Sequence, residues 1–504
     1  MTTEIAILNR SAVALAADSA ASVMTQSGIK VYDGVNKLFE LVRGRPVGVM
    51  IYNSAELSFR PWETVIKTYR EERSDQSFPT LDGYVDDFRT FVRDHKQLFS
   101  ARQQQEAFQQ RIAADLIGLR THVARDFQAQ VEQGGVPTPD DAVAIVSAIV
   151  RAHCERGDSH DALGGWAERL PSVDALVEQH HVEIDGVVGA VLKNLPMDQA
   201  TRDKLRQWLI RRAFGYSPKD SQFSGVVFAG FGDDEYFPRL REFQAKALYG
   251  GHLLSRDIEE SRTDIGVAVP GEIKSFAQGD MIRSFTDGVQ DQVRGAMISY
   301  WDEWLDKGVG EAVVADPRLA HLGVGDLAVI RDAVNGRAVG AVKEFHLTMG
   351  KHEQFKVKGP LLQSVAHLPK DELGAMAESL VNLTTLKRRV SINQAQTVGG
   401  AVDVAVVSRG DGFCMVETQA LLRPGTEPVV GANPLGCATG EQGGTSTMSD
   451  VAKDRAFRDL LEFYFPGDVL QVLQDVQIAE SQAQDLTEAE VDAIIATLHM
   501  GTLR

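Results

Sequence analysis

The chain has 504 residues, 43% of them hydrophobic, and its 52 Lys and Arg against 70 Asp and Glu leave a formal charge of 52 − 70 = −18. That length exceeds one ordinary domain of about 100–200 residues, and the acidic balance disfavours a general nucleic-acid binder. No apolar run approaches the roughly 18 residues that span a bilayer, and no basic region leads into an apolar core as in a secretory signal. Three scattered cysteines, Cys154, Cys414 and Cys437, fit neither a disulfide framework nor a zinc site. A reducing cytoplasm is the simplest compartment for them.

Residues 2–56 read as strands. Thr3 to Leu8 and Ala12 to Ala17 are apolar runs separated by Asn9-Arg10-Ser11, a turn-type cluster. A third strand reaches Lys37-Leu38-Phe39, and Gly44-Arg45-Pro46 turns the chain into Val47 to Tyr52. If Met1 is removed, Thr2 carries a hydroxyl and a free α-amine on one residue, a complete nucleophile–base unit. An α-amine has an ordinary pKa of roughly 7.7–8.0, so a small downward push leaves it neutral at working pH. Asp18 follows the second apolar run and Lys37 stands before Leu38-Phe39, both placed to assist such a unit. Asn53-Ser54 reads equally well as a helix cap.

From about 57 to 222 the periodicity is helical. Phe88, Phe91, Val92, Leu98 and Phe99 recur at helical spacing. Gly134-Gly135, Gly164-Gly165 and Leu195-Pro196 are breaks, and Thr138-Pro139 reads as a cap followed by Pro in the first turn. The histidines of this block, His153, His160, His180 and His181, match no ligand spacing, so no metal is expected. A sheet pattern returns at Gly225 to Gly232, with Tyr236 to Leu240 as its hairpin partner. Gly230-Phe231-Gly232 lacks the third glycine of a dinucleotide fingerprint, and the Gly-rich run 436–447 lacks the Gly-Lys of a phosphate loop, so no cofactor is expected.

Glu272 to Gly279 is expected to open a helix running to about Leu305, followed by a second helical insertion over roughly 290–365. Asp371 to Val390 is helical, with Leu373, Met376, Ala377, Leu380, Leu383 and Thr384 on one stripe. Val402 to Ser408, a Gly410-Asp411-Gly412 turn and a return strand close the sheet pattern. A Pro- and Gly-rich linker and two helices, Asp450–Phe463 and Leu486–Leu498, end the chain.

The Thr-Thr strand, the hairpin, the run Val13 to Ser19 with its Ala-Ala-Asp-Ser, and Lys37 in register resemble the proteasome β-subunit class of N-terminal nucleophile (Ntn) hydrolases. The sixteen positions from Thr2 to Asp18 match the family's offset. The resemblance extends to the central hairpin at 225–240 and the closing hairpin at 399–413. It implies an α+β fold, a four-layer αββα sandwich of two antiparallel sheets with a large helical insertion and a C-terminal helical extension. The segments are then 1–63, 223–290 and 368–418 for the core, 64–222 and 291–367 for helical insertions, and 419–504 for linker and tail. It further implies Thr2, Asp18 and Lys37 as catalytic residues, with a backbone amide at Tyr52 or Asn53 for the oxyanion. Ser275 and Thr397 are the nearest hydroxyls to the family's supporting positions.

Two departures stand out. Tyr52 takes a place where the family has Gly, and the loop 393–398 lacks the family's Asp. The expected activity is threonine-type peptidase action on a peptide or protein substrate by a homo-oligomer, without nucleic acid, membrane or cofactor; no unfoldase partner is indicated. A catalytically degenerate scaffold or binding protein, and a small-molecule amidase, remain as alternatives.

Overall fold

Small and branched apolar residues build the first two strands, β1 (Thr3–Asn9) and β2 (Ala12–Asp18), every position of which is buried. Asn9 makes the turn between them. Its side-chain oxygen accepts from the amides of Ser11 at 2.9 Å and Ala12 at 3.1 Å, the local bond that suits Asn to turns. The computed structural model describes residues 2–25, 28–32, 34–134, 138–156, 163–193, 195–217, 222–390 and 400–417, all within one compact unit, Met1–Pro428.

A two-stranded ribbon, β3 (Ala21–Thr25) and β4 (Gly28–Tyr32), leads to β5 (Leu38–Glu40) and β6 (Val47–Asn53). The short pair β7 (Glu56–Leu57) and β8 (Arg60–Pro61) then hands the chain to six helices. These are α1 (Trp62–Glu72), α2 (Leu81–Asp94), α3 (Ala101–Gly134), α4 (Pro139–Arg156), α5 (Val173–Leu192) and α6 (Gln199–Phe214). Helix α4 begins at Pro139 as its sequence suggests, with the Thr138 hydroxyl accepting from the Asp141 amide at 3.3 Å.

Five strands follow: β9 (Ser224–Gly230), β10 (Arg239–Tyr249), β11 (His252–Asp257), β12 (Thr263–Asp264) and β13 (Gly271–Ala277). Helices α7 (Asp280–Asp287), α8 (Asp291–Lys307), α9 (Val309–Val314), α10 (Val324–His352), α11 (Gly359–Val365) and α12 (Lys370–Val390) precede the last hairpin, β14 (Val402–Ser408) and β15 (Gly412–Glu417).

The fold is mixed α+β. One antiparallel sheet has the order β13-β1-β2-β14-β15, so the strand after Thr2 is interior. A second, also antiparallel, runs β11-β10-β9-β6-β5, with β12 beside β10. Ala6, Leu8, Val13 and Leu15 of the first sheet pack against Met50, Tyr52, Val227 and Ala229 of the second. The alternate residues Ile5, Ile7, Ala12 and Ala14 face Leu373, Ala377, Leu380 and Val381 of α12. On the far side of the second sheet, Val49, Ile51 and Phe228 pack on Trp62, Ile66 and Tyr69 of α1 and Phe88 of α2. The period of two in the strands therefore feeds two cores at once. Helices α3–α6 surround a separate core through Phe108, Leu116, Trp208 and Phe214, which reaches the sheet only at Ala247, Tyr249 and Leu254.

One expectation is overturned. Residues 271–277 do not open a helix; they form β13, paired along its length with β1 from Asn9↔Gly271 to Thr3↔Ala277. The helix begins only at Asp280 and stops at Gly288, whose φ of 75° ends it. The loop 393–398 with Thr397, His160, and the 419–504 tail lie outside the described residues.

Candidate active site

The carbonyl of Ser19, next to Asp18, accepts from the amides of Gly34 (3.1 Å) and Val35 (3.0 Å). Ile51 donates its amide to the Lys37 carbonyl at 2.9 Å. These bonds bring the segment before β5 back to the end of β2, and Lys37 reaches Asp18 as a consequence. Lys37 Nζ donates to Asp18 Oδ1 at 2.6 Å, and the same oxygen accepts the Thr3 amide at 3.0 Å. Asp18 thus ties the cation to the backbone immediately after Thr2. Thr2, Asp18 and Lys37 are all buried, and the structure brings the three together.

A fourth residue joins them that the sequence reading did not single out. Glu4 Oε1 lies 3.2 Å from Lys37 Nζ, and its side chain is wholly buried. Burial pushes its carboxyl up to about 7; Lys37 opposes that rise, Asp18 adds to it, and the nearby Thr2 hydroxyl favours the charged form. One ammonium therefore faces two carboxylates away from water. The Thr2 hydroxyl is buried and makes no hydrogen bond of good geometry among the described residues, the Glu4 carboxyl being the polar group beside it. A clue to Glu4 was present: a charged residue inside a strand of otherwise apolar inward positions must find a partner.

Thr2 is held from the β13 side as well. Ala277, opposite Thr3, takes a left-handed φ of 51°, uncommon for a residue with a Cβ. The turn it makes lets the Gln278 amide donate to the Thr2 carbonyl at 3.1 Å. Gln278 is buried, and neither of its side-chain amide atoms has a hydrogen-bond partner among the described residues.

The residues considered for the oxyanion sit at the end of β6. Tyr52 finds room because it crosses Gly225: a Cβ at 225 would fall 1.9 Å from the Tyr52 ring. The ring also packs on Phe223 and Phe276, and its hydroxyl donates to Glu242 Oε1. Burial and then the Glu242 charge push the phenol well above its usual range, and burial raises Glu242 too. Asn53 has the left-handed backbone, φ 68°, that a glycine would suit, and its Nδ2 donates to the Phe223 carbonyl at 2.7 Å. Ser275 is not brought to Thr2. It pairs with Ile5, which faces α12, and packs against Gly279, where a Cβ would sit 2.2 Å from its Oγ.

A cavity of about 200 Å³ lies elsewhere, among Asp82, Arg89, Arg241, Glu242, Asp257 and Arg262. Its arginines are already engaged: Arg241 with Asp82 and Asp264, Arg89 with Asp257. Among the described residues no group of three His, Cys, Asp or Glu side chains is placed to hold a metal, and no helix is long and apolar enough to cross a membrane.

No protein-family model matches this chain, and no curated protein matches it. Among solved structures it is similar to the Gly-1 mutant of Anbu from Hyphomicrobium sp. strain MC1, at 12% identity, over 61% of this chain and 76% of that one. The TM-score of that match is 0.16, too low to support an inference about fold or activity.

Proposed function

We propose that this chain is a threonine hydrolase of the Ntn class, acting on a peptide or amide bond, and that its two sheets with α12 on one side and α1 and α2 on the other are that class's four-layer αββα sandwich. The observation that carries the reading is the position of Asp18 Oδ1, shared between Lys37 Nζ at 2.6 Å and the Thr3 amide at 3.0 Å, one residue from Thr2. In this reading Met1 is removed and Thr2 is the mature terminus. Its Oγ attacks the substrate carbonyl while its own amine takes the proton. Lys37 depresses the amine's basicity by like-charge repulsion and favours the alkoxide, and Asp18 keeps Lys37 aimed. A backbone amide at Tyr52 or Asn53 receives the oxyanion, a contribution of about 3–4 kcal/mol to the barrier in other hydrolases. Collapse expels the amine leaving group with the proton, and water then cleaves the ester, using the same terminal amine as base. A homo-oligomer in the cytoplasm fits this reading.

The second reading is a scaffold that keeps the cluster without turnover. The burial of Thr2, 6% exposed, favours it. Cleavage of a peptide library by wild type, Thr2→Ala and Thr2→Ser separates the two. The hydrolase reading expects loss in Thr2→Ala and partial retention in Thr2→Ser. Equal activity in Thr2→Ala overturns it, and no cleavage by any of the three favours the scaffold.

A further inference from the structure

Lys37 is flanked by two carboxylates, and only Asp18 has a part in the chemistry described so far. Glu4 approaches the same Nζ at 3.2 Å from β1, the neighbour of the strand that carries Asp18, with no exposed side-chain surface. It stands two residues after Thr2 on β1, the strand that follows Thr2, and the residues after it at the same period, Ala6 and Leu8, line the core between the sheets. A carboxylate in such a place is costly unless it offsets a positive charge. We propose that Glu4 is a positioning residue of the Thr2 centre, whose negative charge offsets the ammonium that forms on Thr2 when its amine takes the hydroxyl proton beside Lys37.

The inference rests on the hydrolase reading. Attack moves one proton from Thr2 Oγ to the Thr2 nitrogen. Two ammonium groups then stand side by side, and Asp18 is already committed to Lys37 and the Thr3 amide. Glu4 supplies the remaining negative charge. The titratable groups facing it are Asp18 from β2, Lys37 from the segment before β5, and Tyr52 from β6, with Glu242 of β10 behind the Tyr52 hydroxyl. On β13 its neighbour across the strand is the uncharged Phe276. Because burial holds the Glu4 carboxyl up to about 7, the site passes between an offset and an un-offset form near neutrality.

The test uses the full chain as wild type, Glu4→Gln and Glu4→Asp, with intact mass first establishing the terminus. Two quantities are read: the pH profile of kcat/KM on a cleaved peptide, and the pKa of the Thr2 amine from the pH dependence of its trace acetylation. Glu4→Gln is expected to lower kcat/KM about 10–100-fold at pH 8, the scale of a lost charge-assisted partner. It is also expected to move the amine pKa and the acidic limb down by about one pH unit, with Glu4→Asp restoring part of both. A merely structural role would lower the folded fraction and leave both pH values in place. If Thr2→Ala abolishes cleavage while Glu4→Gln leaves the amine pKa and the limb unmoved, the Glu4 role is overturned and the hydrolase stands. Retention of Met1 overturns both.

Discussion

Replacing Lys37 with Met removes the cation that two buried carboxylates share. Methionine keeps most of the aliphatic volume, so little of the effect is cavity formation. Asp18 and Glu4, at 2.6 and 3.2 Å from Nζ, have side chains with no solvent exposure. Leaving buried charge unpaired costs about 3–5 kcal/mol. Glu4 escapes that cost by taking a proton. Its carboxyl already sits near 7 with Lys37 pulling it down, so without Lys37 it stays protonated to higher pH. The sign follows from the protons bound. A folded-state value raised above the ordinary 4.5 means the native state holds the extra proton, so stability is full below that ordinary value and falls as pH rises through the raised one.

In wild type that fall is about 3 kcal/mol, since each pH unit is worth about 1.4 kcal/mol between 4.5 and about 7. In Lys37→Met it continues above pH 7. Urea unfolding at pH 5.5, 7 and 8.5, followed by tryptophan fluorescence, measures the gap between the two proteins. The expected gap is about 3–5 kcal/mol at pH 8.5 and smaller at pH 5.5. A gap below about 1 kcal/mol at pH 8.5, or one that does not change with pH, would refute the shared-cation account.

Other substitutions probe the surroundings of the site. Gly225→Ala drives a Cβ to 1.9 Å from the Tyr52 ring; thermal denaturation should register a loss of roughly 1–3 kcal/mol, largely relieved when Tyr52 is also made Val. Tyr52→Phe deletes the hydroxyl that donates to Glu242. It should cost about 1–3 kcal/mol at pH 8 and less toward acid, as the Glu242 carboxyl, raised by burial, takes up its proton; a penalty that grows toward acid would contradict this. At Asn53, with φ 68°, Gly should be tolerated within about 0.5 kcal/mol while Val loses more than about 1 kcal/mol. Equal melting temperatures for the Gly and Val variants would argue against the left-handed backbone.

The strands around Thr2 were legible because Thr3 to Leu8 and Ala12 to Ala17 are buried on both faces and read as nearly continuous apolar runs. Helix α12 was legible from its stripe. Strand β13 was not. It lies at the edge of its sheet, and Glu272, Lys274 and Ser275 are half-buried, so its alternation is blurred and its polar residues resemble a helix start. Asp18 and Lys37 came from the family resemblance, whose residues all lie within one short segment. Glu4 acquires its meaning only when Lys37 folds back beside it, and the room for Tyr52 depends on Gly225 in a strand far along the chain. Contacts of that kind leave no local pattern. The left-handed backbone at Asn53 is carried by a residue type that tolerates it, which is why it read as well for a helix cap as for a glycine's place.

The central claim is that Thr2 offers a free amine and a reactive hydroxyl together. Intact mass spectrometry before and after incubation with a peptide epoxyketone, which needs both groups of a 1,2-amino alcohol to close a ring, tests this directly. The account predicts a chain lacking Met1, one added reagent mass localised to Thr2, and no addition in Thr2→Ala. A chain that retains Met1, or an adduct that persists in Thr2→Ala, would contradict it.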